Sequence, residues 1–354
     1  MDGVKNIEIK NFRGIDSLKI DDFSRVNVFL GQNSSGKTTI LECLMLLMGM
    51  SNADLPQNLN IIRSRTLSGF SDLLYMFHNL NYEQKPEFFS YMFDGTKRHL
   101  SLDLTYMFDE NSQPELMNGQ IISSETKKVF NTLKMSFDIN GKKYESCTTF
   151  NEKGLVLKRK QAEDYLEKNK VVLMSADMTT DYLSSSLVEL SISKKRNIVT
   201  DRLRDFDSRI TSLEILNNVA YVGLEGVSKL MTVSMMGDGL RRFLNIVATS
   251  ANPSTNIVLV DEIDNGLHYS AYKKLWEAIF ALATETNKQV FVTTHSKETL
   301  YKLNEMLEEH SEYQESLRLY TIANTPKKGH QAYKYTYEGL SSACENDVEL
   351  RGRL

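Results

Sequence analysis

The sequence predicts an α/β protein: a mixed, largely parallel sheet flanked by helices, with an antiparallel β-subdomain and a helical subdomain set into it. Three observations carry this. The first thirty residues hold short β-rich runs, IEIKNF, DSLKI and VNVFL, broken by polar residues or Gly. The last third alternates strand and helix patterns, which implies parallel strands joined by helical crossovers. Between them, two period-two runs flank Asn140-Gly141, a two-residue hairpin signal in which both positions take φ > 0.

The elements follow in order. VNVFL runs into GQNSSGKTTI, after which Ile40, Leu41, Leu44, Met45 and Met48 keep helical spacing. Residues 51–98 are aromatic-rich and irregular, and read as short helices and loops. Leu100, Leu102, Leu104, Tyr106 and Phe108 alternate, as do Leu133, Met135, Phe137 and Ile139, so 99–160 reads as antiparallel sheet. From about 161 to 216 the pattern turns helical, with Leu203, Phe206, Ile210 and Leu213 on one face. No long heptad run follows, hence no extended coiled coil. GLRRFLNIVATS then reads as helix, NIVLVDE as buried strand, SAYKKLWEAIFALATET as helix, QVFVTTH as strand, SKETLYKLNEML as helix and LRLYTIA as strand. Tyr333, Tyr335 and Tyr337 alternate as a further strand. The expected boundaries are 1–98, 99–160, 161–229 and 230–354, the first and last forming one discontinuous domain.

Composition narrows the class. A chain of 354 residues, 41% hydrophobic and 25% charged, is an ordinary globular protein, not a disordered, collagen-like or disulfide-scaffold one. A net charge of −4 gives no global basic footprint for nucleic acid. Cys43, Cys147 and Cys344 form no metal-spaced pair, which suits a reducing setting. No apolar run reaches the roughly 18 residues of a membrane span. MDGVKNIEIK lacks a signal-peptide core. A cytoplasmic protein is expected.

Residues 31–38, GQNSSGKT, fit G-x-x-x-x-G-K-[ST] in full. Gly31 and Gly36 let successive N–H groups curl around an anion, and the next helix adds its positive dipole end. Lys37 then reaches the β/γ-phosphates and the Thr38 hydroxyl takes a place on Mg²⁺. The bland reading is a Gly/Ser turn with an exposed lysine; the strand before and helix after weigh against it. NIVLVDEIDNGLH ends a buried strand in Asp261-Glu262, where open α/β sheets bind ligands. Asp261 is expected to hold Mg²⁺ through water and Glu262 to polarise the attacking water. His295 ends the next strand, within reach of a γ-phosphate; alone, such a histidine is most often a satisfied surface or core residue. In SMMGDGLRRF, Gly237 and Gly239 precede a helix, which alone is weak evidence.

The order phosphate loop, Gly-rich helix start, acidic strand, Leu267-His268 loop and strand-His resembles the ABC-type ATPases, within them the SMC/RecF/OLD-like branch often grouped as AAA-family ATPases. IEIKNFRGIDSLKI…VNVFLGQNSSGKTTILECL is similar to the opening of that branch; MGDGLRR, DEIDNGLH and TTHS are closest to its OLD-like members. The likeness covers about residues 1–50 and 230–300. It implies a P-loop NTPase fold that binds and hydrolyses ATP with Mg²⁺. Asn33, Ser34, Ser35, Gly36, Lys37, Thr38 and Thr39 then cradle the triphosphate. Asp261 and Glu262 are the Walker B carboxylates and His295 the switch histidine. The loop containing Asp264, Asn265 and His268 crosses to a second protomer. Gly237, Asp238 and Gly239 occupy the signature that caps the other subunit's nucleotide.

Two departures stand out. Met236-Gly237-Asp238-Gly239 replaces the common Leu-Ser-Gly-Gly, so Asp238 either points away from the phosphates or serves Mg²⁺ or Arg242. None of Gln57, Gln84, Gln113, Gln120 and Gln161 is assigned to the glutamine loop. Too few residues follow His295 for the Toprim nuclease domain of full-length OLD nucleases. The resemblance therefore implies a stand-alone ATPase subunit, homodimeric or larger, beside a separate effector in prokaryotic anti-phage defence. The alternative is a RecF/SMC-like DNA-repair ATPase, its phosphate contacts made by runs such as Lys158-Arg159-Lys160 and Lys194-Lys195-Arg196. The opening NFRG and the Gly-Asp-Gly signature argue against a transporter ATPase and its membrane partner.

Overall fold

The computed structural model describes residues 3–64, 70–108, 116–117, 120–121, 128–150, 156–175 and 181–352. The first half of the chain runs β1 (Val4–Phe12), β2 (Ile15–Ile20), β3 (Val26–Leu30), α1 (Lys37–Met48), α2 (Leu55–Ser64), β4 (Glu87–Met92), β5 (Lys97–Phe108), β6 (Leu116–Met117), β7 (Gln120–Ile121), β8 (Lys128–Ile139), β9 (Lys142–Phe150) and β10 (Val156–Lys160). The second half runs β11 (Val171–Met174), α3 (Asp181–Ile192), α4 (Arg196–Phe206), β12 (Ile210–Leu216), β13 (Val219–Leu224), β14 (Met231–Thr232), α5 (Asp238–Ala251), β15 (Ile257–Val260), α6 (Tyr272–Glu285), β16 (Gln289–Thr293), α7 (Lys297–Glu309), β17 (Leu317–Thr325), β18 (Gly329–Tyr335) and α8 (Tyr337–Glu345).

A six-stranded sheet, ordered β11-β15-β16-β3-β17-β18, is parallel except for its last strand. Strands β3, β15 and β16 are buried at every position, which is why they read as mostly apolar runs, with buried polar residues at Asn27, Gln289 and Thr293. Their alternate side chains enter two different cores. Phe29, Leu259 and Phe291 face α1, and across it a seven-stranded antiparallel sheet ordered β10-β9-β8-β5-β4-β1-β2. Val28, Val258 and Val292 face the opposite layer, built from α3 to α8. Helix α1 lies between the two sheets and is buried nearly all round, as its run Ile40–Met48, apolar but for Glu42, requires. The fold is thus mixed α/β, as the sequence predicts.

Four details differ from the sequence reading. The stretch 51–98 does not end in loops, because Glu87–Met92 is a strand. Its inward residues are Phe88, Ser90 and Met92; outward Phe89, stacked on His99, and Tyr91 hide the alternation. Through this strand the sheet of 99–160 continues into β1 and β2, so no sheet boundary falls at residue 99.

The region 161–216 is not wholly helical. It contains β11, and Ile210 and Leu213 lie in β12 rather than on the helix of Leu203 and Phe206. Asp207 ends α4: its side chain accepts from the Arg209 N–H, an Asx turn. A register shift between Ile210 and Ser212 then places residues three apart on one buried face, which imitates helical spacing. Asn217 and Asn218, with φ of 51° and 60°, make the two-residue hairpin into β13. Lastly, Tyr337 starts α8 instead of extending a strand.

The Asn140-Gly141 turn has φ of 52° and 88°, as expected for its hairpin. Leu100, Leu102, Leu104, Leu133, Met135 and Phe137 are buried. The side chains of Tyr106 and Phe108 lie outside the described residues. Among the described residues no helix is long and apolar enough to cross a membrane.

Candidate nucleotide-binding site

The carboxyl ends of β3, β16 and β15 lie side by side, and each delivers one part of the site. From β3 the chain enters a loop whose φ values are positive at Gly31 (149°), Ser34 (63°) and Gly36 (99°). A Cβ on Gly31 would stand 2.5 Å from the Ile322 carbonyl oxygen, so only glycine fits there. Asn33 and Ser34 are exposed at the loop's tip. The Ser35 Oγ is buried without a hydrogen-bond partner among the described residues, an arrangement a phosphate oxygen would satisfy. Lys37 Nζ donates to the carbonyls of Gly31 and Gln32 at 2.9 Å each. Burial lowers its pKa, while the carboxylates of Asp261, Glu262 and Asp264 act the other way.

From β15 comes Asp261, which is 9% exposed. Its oxygens accept from Thr38 Oγ1 at 2.9 and 3.1 Å, across a sequence separation of 223. Two hard oxygen donors in contact, one hydroxyl and one carboxylate, are the chemistry Mg²⁺ takes. Glu262 follows with φ 48°, a strained conformation for a glutamate.

From β16 comes Thr293, which sequence reading missed. Its hydroxyl donates to Asp261 Oδ1 at 2.6 Å and accepts from the Glu262 N–H at 2.8 Å. One side chain therefore fixes both acidic residues. Thr294 likewise donates to Asp264 Oδ1, and the other oxygen of Asp264 lies 4.0 Å from His295 Nε2. His295 is half-exposed.

The loop after β15 turns at Gly266 (φ 75°), leaving Asn265 and His268 exposed, with His268 Nδ1 2.9 Å from Ser270 Oγ. Gly239 packs against this loop: a Cβ there would lie 3.5 Å from the Gly266 carbonyl oxygen. Gly237 is the N-cap of α5, and Asp238 pairs with Arg241 within the first turn. Asp238 does not serve Arg242. Arg242 turns inward and donates to the carbonyls of Ser175 (2.9 Å), Asp261 (2.7 Å) and Glu262 (3.3 Å).

Thr39 is buried and accepts from Arg63 at 3.2 Å. The same guanidinium and that of Arg13 hold Glu42, which is 2% exposed on α1. Burial pushes the Arg13 pKa down to about 10, with Glu42 opposing. Beside this cluster opens a cavity of about 600 Å³ lined by Arg13, Asn60, Arg63, Tyr75 and Phe77. The one legible signal for it was a glutamate inside an apolar helix. Of the glutamines, Gln57 lies on α2 and Gln84 and Gln161 are exposed; Gln113 lies outside the described residues.

Residues 3–202 match the family described as AAA ATPase domain, and 184–300 match one described as AAA domain, putative AbiEii toxin, Type IV TA system. An ATP/GTP phosphatase of Helicobacter pylori is 23% identical, covering 99% of this chain and 100% of the relative. The DNA replication and repair protein RecF of Lactococcus lactis is 52% identical over 44 residues, 12% of either chain. Among solved structures, an Smc head domain from Pyrococcus furiosus, bound to the C-terminal domain of ScpA, covers 99% of this chain and 100% of its own at 12% identity and TM-score 0.52. Another Smc head, bound to the C-winged helix domain of ScpA, covers 95% and 99% at 14% identity and TM-score 0.51. This chain belongs to the AAA ATPase domain family, and it is an ATPase with the fold of an Smc head.

Proposed function

We propose that the protein is a nucleotide-driven dimerisation switch. Two copies close on two ATP molecules and act on a separate effector protein in a prokaryotic defence or toxin–antitoxin setting. The contact of Thr38 with Asp261 carries the nucleotide part of this reading, because it brings the phosphate loop against the acidic strand end. Residues Asn33 to Thr39 cradle the triphosphate, with Lys37 leaving its loop carbonyls for the β/γ-phosphates. Mg²⁺, held by Thr38 and Asp261, would neutralise phosphate charge. Glu262 orients and deprotonates the attacking water, and His295 contacts the γ-phosphate. The Gly237-Asp238-Gly239 turn caps the partner's nucleotide, and the Asp264-Asn265-His268 loop lies at the same interface. The exposure of Asp238 and its pairing with Arg241 fit this placement, since a free carboxylate would repel the triphosphate.

The family description over residues 184–300 supports the effector setting. The RecF stretch supports a second reading, an ATPase that binds DNA. Its basic runs are partly engaged locally, Arg159 with Asp54 and Arg196 with Glu214. A DNA affinity falling steeply with salt would select that second reading.

Light scattering tests the switch. Glu262→Gln blocks turnover, and this variant is expected to assemble on adding ATP. Adding Gly239→Arg fills the signature surface with a bulky cation, and the ATP-dependent part of the assembly is expected to vanish. An unchanged response would mean that the signature does not act across an interface, leaving a monomeric enzyme as the better reading.

A further inference from the structure

The segment that follows α8 is fastened to α7 and β17 and, through Arg351 and Gly352, reaches the candidate nucleotide site. Asp347 pairs with Lys297 and accepts from Tyr301 Oη at 2.8 Å, both on the first turns of α7. The Leu350 carbonyl accepts from buried Thr321 on β17, and the Leu350 side chain is buried. The Gly352 carbonyl accepts from Gln32 Nε2, inside the phosphate loop, at 2.8 Å. Between these two, Arg351 NH1 donates to the backbone carbonyl of His295 at 2.8 Å. The guanidinium is itself held: Nε and the other terminal nitrogen grip the Glu349 carboxylate, and the Arg351 N–H reaches the same group at 2.9 Å.

His295 has two further anchors. Thr294 is tied to Asp264, and Ser296 donates its N–H to Thr294 Oγ1 at 3.0 Å while capping α7. These fix the chain on both sides of the histidine. The carbonyl of His295 itself is fixed by Arg351, so the backbone is set and the half-exposed ring retains its side-chain torsions.

We propose that Arg351 is a positioning residue for ATP hydrolysis: it holds the His295 loop in register with the phosphate loop, which the same segment touches through Gln32. The proposal rests on the reading of His295 as the γ-phosphate contact. Its role is geometric, because Glu349 already balances the guanidinium charge. Holding a group in its reactive geometry acts on the chemical step rather than on ground-state affinity.

The test is a double-mutant cycle on the full chain, reading kcat, KM and ATP affinity. Arg351→Ala is expected to lower kcat about tenfold, with ATP affinity within twofold of wild type and the melting temperature nearly unchanged. In a His295→Ala background, Arg351→Ala is expected to have no further effect on kcat, since there is no ring left to place. Arg351→Lys, which keeps one donor, is expected to restore part of the rate. An unchanged kcat in Arg351→Ala, or a loss that adds fully to that of His295→Ala, overturns the proposal. A wild-type kcat in His295→Ala alone overturns the reading of His295, and the proposal with it.

Discussion

Arg242 and Asp261 are joined by a 2.7 Å hydrogen bond from the guanidinium to the backbone carbonyl, so the helix that starts at Gly237 is fastened to the end of the acidic strand. Truncating Arg242 to Ala removes this donor from the buried Asp261 carbonyl, at about 1–3 kcal/mol for a buried group, and from the part-buried carbonyls of Ser175 and Glu262 at less. Arg242→Ala is therefore expected to lower stability in urea unfolding by roughly 3 kcal/mol. Turnover per folded molecule is also expected to fall, because Glu262 loses a backbone restraint at its strained φ. Full activity per folded molecule would reduce Arg242 to a packing residue.

Lys37→Ala is expected to abolish ATP binding. The lysine is the point charge within the loop that can reach the β/γ-phosphates. Isothermal titration with ATP and Mg²⁺ reads this directly, and wild-type affinity in the variant would remove the phosphate-loop assignment.

Thr293→Val keeps the shape of the β16 end but withdraws the hydroxyl that joins Asp261 to the Glu262 N–H. Phosphate release is expected to drop by roughly tenfold or more, in line with loss of a hydrogen-bonded general-base geometry. Thr293→Ser should stay near wild type. Equal rates in Val and Ser variants would show that the acidic pair holds its position without this hydroxyl.

Lys288 provides a pH signature. It is 2% exposed and donates to the carbonyls of Ser250 and Asn252 at the end of α5. Burial, with Lys195 adding to it, pushes its pKa down from 10.5 to about 7. Between those values the unfolded chain carries a proton that the folded protein lacks, so this group favours folding increasingly as pH rises. Its contribution is fully present above 10.5 and is lost as pH falls towards 7. The stability of wild type relative to Lys288→Met is expected to grow across that window by at most about 1.4 kcal/mol per pH unit. A constant difference in denaturant midpoints would mean that the ammonium stays charged in the fold.

The parts of the site that are contiguous in the chain were legible in the sequence. The phosphate loop, the Asp261-Glu262 strand end and the Thr-Thr-His strand end each announce themselves within ten residues. What joins them was not. Thr293 acts through a strand neighbour, Arg242 through three carbonyls, and Arg63 and Arg13 through Glu42, and none of these pairings has a sequence period. The β-bulge at Ile210–Ser212 shows a different failure, because one extra residue turned a strand pattern into a helical one. Likewise β4 carries apolar side chains on both faces, so its alternation vanished.

The two-core arrangement of β3, β15 and β16 also bears on timing. For an amide in these strands to exchange with solvent deuterium, both the α1 layer and the helical layer must move away, which approaches complete unfolding. The slowest-exchanging amides should therefore cluster in Val26–Leu30, Ile257–Val260 and Gln289–Thr293. The candidate nucleotide site then sits at the tips of the strands that are the last of the chain to open.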